Sequence, residues 1–224
     1  MTTESEISLK ELKCEIGHLT KSDGCASFLQ GDTCALVSTY GPTQVKTSKE
    51  NIEHAYIDVL FKPKSGLPTC VDKFLQSTIC KACKPAIVTS QHPRTAINII
   101  VQEMQNSGCL LSTTINATML SLLDAGVPLH YTVAAVECII NEEDKIKLSP
   151  TRKEEDTARA TFMFSFTSTE GNICASHAKG KFTQQEYAKC RTVCKEASRH
   201  VFEFYKESMV KKVQRTVINL NQCF

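Results

Sequence analysis

Three hydroxyl groups and one carboxylate stand where their spacing allows chemistry. Ser112, Thr113 and Thr114 begin a segment of helical spacing, and hydroxyls together with backbone N–H groups at a helix start can bind an anion. Asp156 ends the charged run 153–156, and a carboxylate can move a proton or hold a divalent ion. We favour the structural alternative for each, in which one hydroxyl caps the helix and Asp156 is a solvated acid.

Four basic residues form the candidate nucleic-acid-binding patch, namely Lys73, Lys81, Lys84 and Arg94. Lysine is a point charge that attracts a phosphate without fixing its geometry. The alternative is that these side chains are ordinary solvated charges on a helix and a loop. Since no aromatic platform for stacking bases is evident nearby, we expect contacts with the nucleic-acid backbone rather than sequence-specific recognition.

Composition and charge narrow the class of protein. The 224 residues carry a net charge of +2, with 42% hydrophobic and 22% charged residues, which is typical of a globular protein whose basic surface, if any, is local. Residues 1–8 are polar and acidic, unlike a secretory signal. No window approaches the ~20 apolar residues of a membrane span. We therefore expect a soluble, intracellular protein with no membrane partner.

Twelve cysteines raise the question of a metal or redox site. Cys80 and Cys83 form one close pair, and Cys190 and Cys194 form another. A zinc site needs four ligands and usually a second tight pair nearby, whereas most of the chain separates these two. Both pairs fit helices, where thiols act as small apolar side chains. We predict no metal, no cofactor and reduced thiols.

The elements that must position these residues follow from hydrophobic periodicity. The pattern predicts strands over residues 11–19, 25–29, 34–40, 55–61, 95–104, 129–140, 159–167 and 173–180, and helices over 68–84, over 113–125 and from 183 onward. The strand over 159–167 alternates strictly, with its phenylalanines on one face, and residues 183–186 have the form of a capping box that begins the last helix. Gly41-Pro42 is expected to end the third strand. The first helix is expected to bury one face, made of Val71, Phe74, Leu75, Ile79 and Ala82. This order indicates an α+β fold with a mixed sheet and packed helices.

Several short motifs occur in an order that resembles the RNase PH family of phosphate-dependent 3′ exoribonucleases, and within it the eukaryotic exosome-ring subunits. They are Gly17-His18-Leu19, Asp23-Gly24-Cys25-Ala26, Gly31-Asp32-Thr33, Tyr40-Gly41-Pro42, Gln91-His92-Pro93-Arg94-Thr95, Ile115-Asn116-Ala117, Leu123-Asp124-Ala125-Gly126-Val127-Pro128, His200-Val201-Phe202 and Tyr205-Lys206-Glu207-Ser208. The resemblance implies a single RNase PH-like domain of the ribosomal protein S5 domain 2-like type. It is similar to the small ring subunit that has no added RNA-binding domain. We predict this domain over residues 11–210, between tails at 1–10 and 211–224.

The resemblance also implies a degenerate phosphate loop. Where the family binds phosphate with Gly-Gly-Thr-Arg, this chain has Gly108, Cys109, Leu110 and Leu111, followed by Ser112. Leucine offers neither a charge nor a hydrogen-bond donor. Losing a charge-assisted bond to a desolvated anion reduces a rate on the order of 100-fold.

The resemblance places two further sets of site residues. The family's acidic pair lies six residues apart, and here Asp156 takes the first position and Phe162 the second. We therefore predict that no residue of this chain is catalytic, and that Asp156 is a vestige of the family's acidic pair. The family's RNA-binding basic pair falls on Lys81 and Lys84.

These implications favour a non-catalytic structural subunit of the RNA exosome ring, which supports 3′-to-5′ RNA processing and degradation. The expected partners are other RNase PH-like exosome subunits and single-stranded RNA, in the nucleus, nucleolus and cytoplasm. Two alternatives stay open. One is a homodimer that binds nucleic acid, including DNA, and assists another nuclease outside the ring. A homodimer is also the state expected of the isolated chain. The other is a residual phosphate-dependent exoribonuclease.

Overall fold

A computed structural model of the chain describes residues 9–222, apart from the side chains at 216 and 219–222. Most of the tail predicted over residues 1–10 therefore lies outside the described residues, as do residues 223 and 224. The described chain has nine strands, β1 Leu12–Ile16, β2 Gly24–Gln30, β3 Thr33–Gln44, β4 Tyr56–Lys62, β5 Thr95–Gln105, β6 Val133–Ile140, β7 Ile146–Leu148, β8 Ala160–Thr167 and β9 Ile173–Gly180. Its α-helices are α1 Cys70–Cys83, α2 Leu110–Asp124, α3 Arg152–Thr157 and α4 Gln184–Gln222. This arrangement confirms the predicted α+β class.

The first sheet contains five strands in the order β1-β2-β3-β5-β4. All neighbours are antiparallel except β4 and β5, which α1 joins as a parallel pair. The prediction that Gly41-Pro42 ends the third strand is wrong. The register shifts at these residues, and pairing with β5 resumes at Thr43, so that β3 runs on to Gln44. An irregularity of this kind lets a strand continue past residues that leave the regular ladder.

The second sheet contains four antiparallel strands in the order β7-β6-β8-β9. The predicted alternation in β8 is confirmed, since Phe162, Phe164 and Phe166 occupy alternate positions and are at most 2% exposed. β6 is buried over most of its length, as its apolar run predicts. It begins at Val133 rather than Leu129, which instead forms an isolated bridge with Ile87.

Helix α2 lies between the two sheets and contacts β2, β3 and β6. Every residue from Leu111 to Leu122 is buried, so the helix is covered on all its faces. The sheets cover opposite sides of the helix, and its polar side chains bond within the core. Asn116 accepts the N–H of Ala135 at 2.8 Å, donates to its carbonyl at 3.0 Å, and accepts the hydroxyl of Tyr205 at 2.9 Å.

Helix α1 begins at a capping box formed by Thr69 and Asp72. Its second half buries Ile79 and Ala82, as predicted. Val71 and Phe74 were expected on the same inner face but are 66% and 46% exposed. They lie in the first turns of the helix, which border an open cleft, and the ring of Phe74 is partly covered by that of His177 on β9, 5.0 Å away.

Helix α4 begins at the predicted capping box, in which Glu186 accepts the N–H of Thr183 at 2.7 Å. Its buried stripe includes Cys194, Ala197 and Val201. The helix continues through Gln222, so the domain boundary predicted at residue 210 falls inside a continuous helix. Among the helices of residues 9–222, none has a stretch long and apolar enough to cross a bilayer.

The two cysteine pairs lie on helices, as predicted, with Cys80 and Cys83 on α1 and Cys190 and Cys194 on α4. Cys83, Cys190 and Cys194 are completely buried. Burial raises the pKa of the Cys83 thiol well above its ordinary value. These thiols therefore pack as small apolar side chains.

Candidate functional site

The loop before α2 is held in an unusual backbone conformation. Gly108 has φ +110°, and a Cβ atom there would lie 2.6 Å from the carbonyl oxygen of Pro150. Cys109 follows in the left-handed region with φ 58°. The hydroxyl of Thr33 accepts the N–H of Ser107 at 3.1 Å and donates to the carbonyl of Gly108 at 2.5 Å. These contacts aim the first amides of α2 into a cleft.

Two carboxylates of the chain itself bind those amides. Glu155 on α3 accepts the N–H of Cys109 at 2.6 Å, and Glu137 on β6 accepts the N–H of Ser112 at 2.7 Å. A helix N-terminus stabilises negative charge, and the same donors would otherwise be available to a bound phosphate. The anion-binding capacity of this helix start is thus already used by side chains of the same chain.

The three hydroxyls that follow do not face the cleft as free donors. Ser112 and Thr113 donate to the carbonyl of Cys109 at 3.0 and 2.7 Å, and Thr114 donates to that of Leu111 at 2.9 Å. Our prediction that one of them is the N-cap is wrong. The helix begins three residues earlier than expected, and Cys109 is the N-cap, without a side-chain capping bond.

Burial raises the pKa of both glutamates. Desolvation is the largest cause that raises the pKa of Glu137 to about 7, and Glu155 is the next. Burial also raises the pKa of Glu155, against the N–H of Cys109, which lowers it. Near neutral pH Glu137 is therefore partly protonated, whereas an ordinary carboxyl is ionised.

Cys109 completes a group with Glu137 and Glu155 in which all ligand atoms lie within 4.8 Å of one another. Burial and the two glutamates raise the pKa of the Cys109 thiol, which donates to the carbonyl of Pro150 at 3.3 Å. A metal ligand must be a thiolate. The protonated thiol opposes cation binding at this sulfur.

The predicted acidic position and its apolar counterpart both border the same cleft. Asp156 on α3 is 71% exposed and lies 3.9 Å from the guanidinium of Arg152, which fits the solvated acid that we favoured. Phe162 is 2% exposed and packs among other aromatic rings, with its centroid 4.8 Å from that of Phe182. The second carboxylate position is therefore part of the hydrophobic core.

The cleft has a volume of about 580 Å³ and lies between α1, α3, the start of α2 and the second sheet. Its lining includes Leu67, Val71, Asp72, Phe74, Glu103, Leu110, Leu111, Glu137, Arg152, Glu155, Asp156, Phe162, His177 and Lys179. Sequence reasoning missed Glu137 and Glu155. A charge inside the otherwise apolar run of β6 was the available signal for Glu137, because a buried acid needs specific partners.

The predicted basic patch does not border this cleft. Lys73, Lys81 and Lys84 are exposed at α1, and Lys81 and Lys84 lie about 12 and 16 Å along the helix axis from Lys73. Arg94 is exposed just before β5, with its guanidinium 3.8 Å from Glu50. Since α1 returns from the end of β4 to the start of β5, Arg94 lies towards the Lys84 end of the helix.

Comparison with known proteins gives consistent matches. Residues 8–128 match the model of the 3′ exoribonuclease family, domain 1. The "Exosome complex component RRP46 homolog" of Caenorhabditis elegans is 30% identical over 210 residues, which are 92% of this chain and 96% of that protein. The "Exosome complex exonuclease RRP46 homolog" of Arabidopsis thaliana is 33% identical over 161 residues, 72% of this chain and 67% of that protein. The crystal structure of rice Rrp46 superposes with a TM-score of 0.85 at 28% identity, covering 89% of this chain and 94% of that one.

Proposed function

The chain belongs to the RNase PH family of 3′ exoribonucleases, and from this membership we propose that it is a non-catalytic structural subunit of an RNA exosome ring. Its relatives in Arabidopsis and Caenorhabditis elegans carry the name of the exosome protein RRP46. In this role it helps to assemble the ring that processes and degrades RNA, including ribosomal RNA, from the 3′ end. Its partners are other RNase PH-like subunits, and its locations are the nucleus, the nucleolus and the cytoplasm.

The observation that carries the loss of catalysis is the occupied start of α2. Phosphorolysis must bring an inorganic phosphate to this place, and the resemblance assigns Leu110 and Leu111 to the positions of the family's Thr-Arg pair. Glu155 and Glu137 bind the N–H groups of Cys109 and Ser112. An incoming phosphate would have to displace two carboxylates and would meet no cation at the leucines.

We expect no phosphate-dependent activity from the purified chain. The experiment incubates it with a 5′-labelled single-stranded RNA, Mg²⁺ and inorganic phosphate, and measures stepwise shortening and nucleoside diphosphates. An active phosphorolytic exoribonuclease of the family is the positive control. Diphosphate release that Asp156→Asn abolishes would overturn the proposal, because it would show a working site around the remaining carboxylate.

The structural role predicts stoichiometric assembly. Co-expressed with RNase PH-like exosome subunits, the chain should elute with them from a sizing column at an equal molar ratio. Recovery from cells only as a free homodimer would contradict the ring role and would favour a nucleic-acid-binding dimer outside the ring.

The proposal includes weak binding to the RNA backbone through α1. Replacing Lys81 and Lys84 with glutamate should weaken single-stranded RNA binding about tenfold at low salt and lower the salt slope by roughly 1.4, the value for two lost phosphate contacts. Binding is measured by fluorescence anisotropy at several salt concentrations. The matched control, Lys189→Glu with Lys195→Glu, changes the same charge at exposed positions of α4. An equal loss of RNA affinity in both double variants would mean that only overall charge matters, and it would contradict a local binding patch at Lys81 and Lys84.

A further inference from the structure

One wall of the cleft at the start of α2 presents apolar side chains to solvent. Leu67, Val71 and Phe74 are 88%, 66% and 46% exposed, and Leu110 and Leu111 extend the apolar surface into the cleft. A contiguous exposed apolar surface with a polar rim is typical of an interaction site. This wall therefore offers positions for apolar side chains of a ligand.

The rest of the cleft is acidic. It is lined by five carboxylates and two permanent cations, namely Asp72, Glu103, Glu137, Glu155 and Asp156 against Arg152 and Lys179. Burial, with Lys179 as a second cause, lowers the pKa of His177, which therefore adds no positive charge at pH 7. The cleft carries a net negative charge and attracts cations.

Glu137 and Glu155 bring two carboxyl groups together in the cleft. Their carboxylate oxygens lie within 4.8 Å of one another, and each glutamate already accepts one amide of α2. A guanidinium can bond two carboxylates at once, because its donors form a planar fork. A phosphate would instead add a third negative charge beside amides that are already bonded.

We propose that this cleft is a docking site for a protein segment that combines arginine or lysine with apolar side chains. The inference rests on the proposed function, because it assigns to a partner the cleft that catalysis no longer uses. The apolar side chains of the segment cover Leu67, Val71 and Phe74, and its cation binds Glu137 and Glu155. The volume of about 580 Å³ lies within the ~300–1,000 Å³ of pockets that enclose a ligand, so it admits several side chains of one extended segment.

The experiment selects ligands for the purified full chain from a displayed library of random octapeptides. The selected peptides should be rich in arginine or lysine and in apolar residues. Their affinity is then measured by fluorescence anisotropy against two cleft variants. Glu137→Gln with Glu155→Gln removes both ionisable carboxyls and keeps two hydrogen-bond acceptors. Leu67→Ser with Val71→Ser removes the apolar wall at exposed positions. Each double variant should weaken binding at least tenfold.

The matched control variants change similar side chains outside the cleft. Glu142→Gln with Glu143→Gln changes exposed turn carboxylates, and Ile52→Ser removes an apolar side chain that is 71% exposed. Neither control should change affinity. The inference would be overturned if the selected peptides were acidic, or if they bound the cleft variants and the wild type equally. Displacement of the peptides by a single-stranded RNA, or the absence of any cleft-dependent peptide, would overturn it too.

The same variants separate this inference from the proposed function. Both cleft double variants should still assemble with the ring subunits at an equal molar ratio. Loss of peptide binding with normal assembly supports the docking site. Failure to find a cleft-dependent peptide, with assembly intact and no diphosphate release, would overturn the docking site alone.

Discussion

Replacing Asp124 with alanine should lower the free energy of unfolding by about 1.5–3 kcal/mol, the range for losing hydrogen bonds to a charged group. The Asp124 side chain is 4% exposed at the end of α2. Its carboxylate accepts the N–H of Cys25 at 2.8 Å and the ammonium of Lys212 on α4. The substitution would remove the acceptor of both donors at a junction of α2, β2 and α4.

Urea unfolding followed by circular dichroism measures this loss as a shift of the midpoint at constant slope. The matched control is Glu207→Ala, which removes another carboxylate that pairs with a lysine of α4, at an exposed position 3.7 Å from Lys211. An exposed pair of this kind contributes at most about 0.5 kcal/mol. A loss below 1 kcal/mol in Asp124→Ala would mean that the junction relaxes around the missing carboxylate.

Replacing Glu137 with glutamine should stabilise the chain by roughly 2–3 kcal/mol at pH 8, and the gain should shrink towards pH 4.5. Burial and Glu155 raise the pKa of Glu137 from 4.5 to about 7 in the folded state. The folded chain then binds more protons than the unfolded chain between these values. The stability that the neutral carboxyl gives is therefore complete below pH 4.5 and is lost as the pH rises through about 7.

Glutamine stays neutral at every pH and keeps an oxygen that can accept the N–H of Ser112. Urea unfolding of the variant and the wild type at pH 4.5, 6, 7 and 8 measures the difference in unfolding free energy. Glu143→Gln is the control, because its carboxylate is exposed and Lys145 lowers its pKa rather than raising it. A gain that is equal at pH 4.5 and pH 8 would show that repacking, and not ionisation of Glu137, is its cause.

The same two glutamates illustrate where the candidate site could be predicted. The sequence motif located the loop at Gly108 and the leucines after it, and the cleft does lie there. It did not show that Glu137 and Glu155 bind the amides of Ser112 and Cys109, because those partners are 25 and 46 residues apart in the chain. Such contacts depend on how β6 and α3 pack beside α2.

Local patterns predicted the elements whose cause is local. Strict alternation in β8 and the capping box at Thr183 depend on neighbours one to three residues away, and both are present. The burial of α2 on all sides does not follow from local neighbours. Its apolar spacing showed that one face is buried, but the second sheet covers the other face, and only the packing of two sheets decides that.

The sequence by itself determined the α+β class and the family, and the family resemblance assigns Leu110 and Leu111 to the positions of the phosphate-binding pair. The tertiary structure alone decided that Val71 and Phe74 stay partly exposed, since the first turns of α1 border the open cleft. It also decided that two carboxylates from distant segments meet at one helix start. Periodicity and motifs indicate which side chains are apolar enough to be buried and which are charged. The partner of each side chain is set by chain segments that folding brings together.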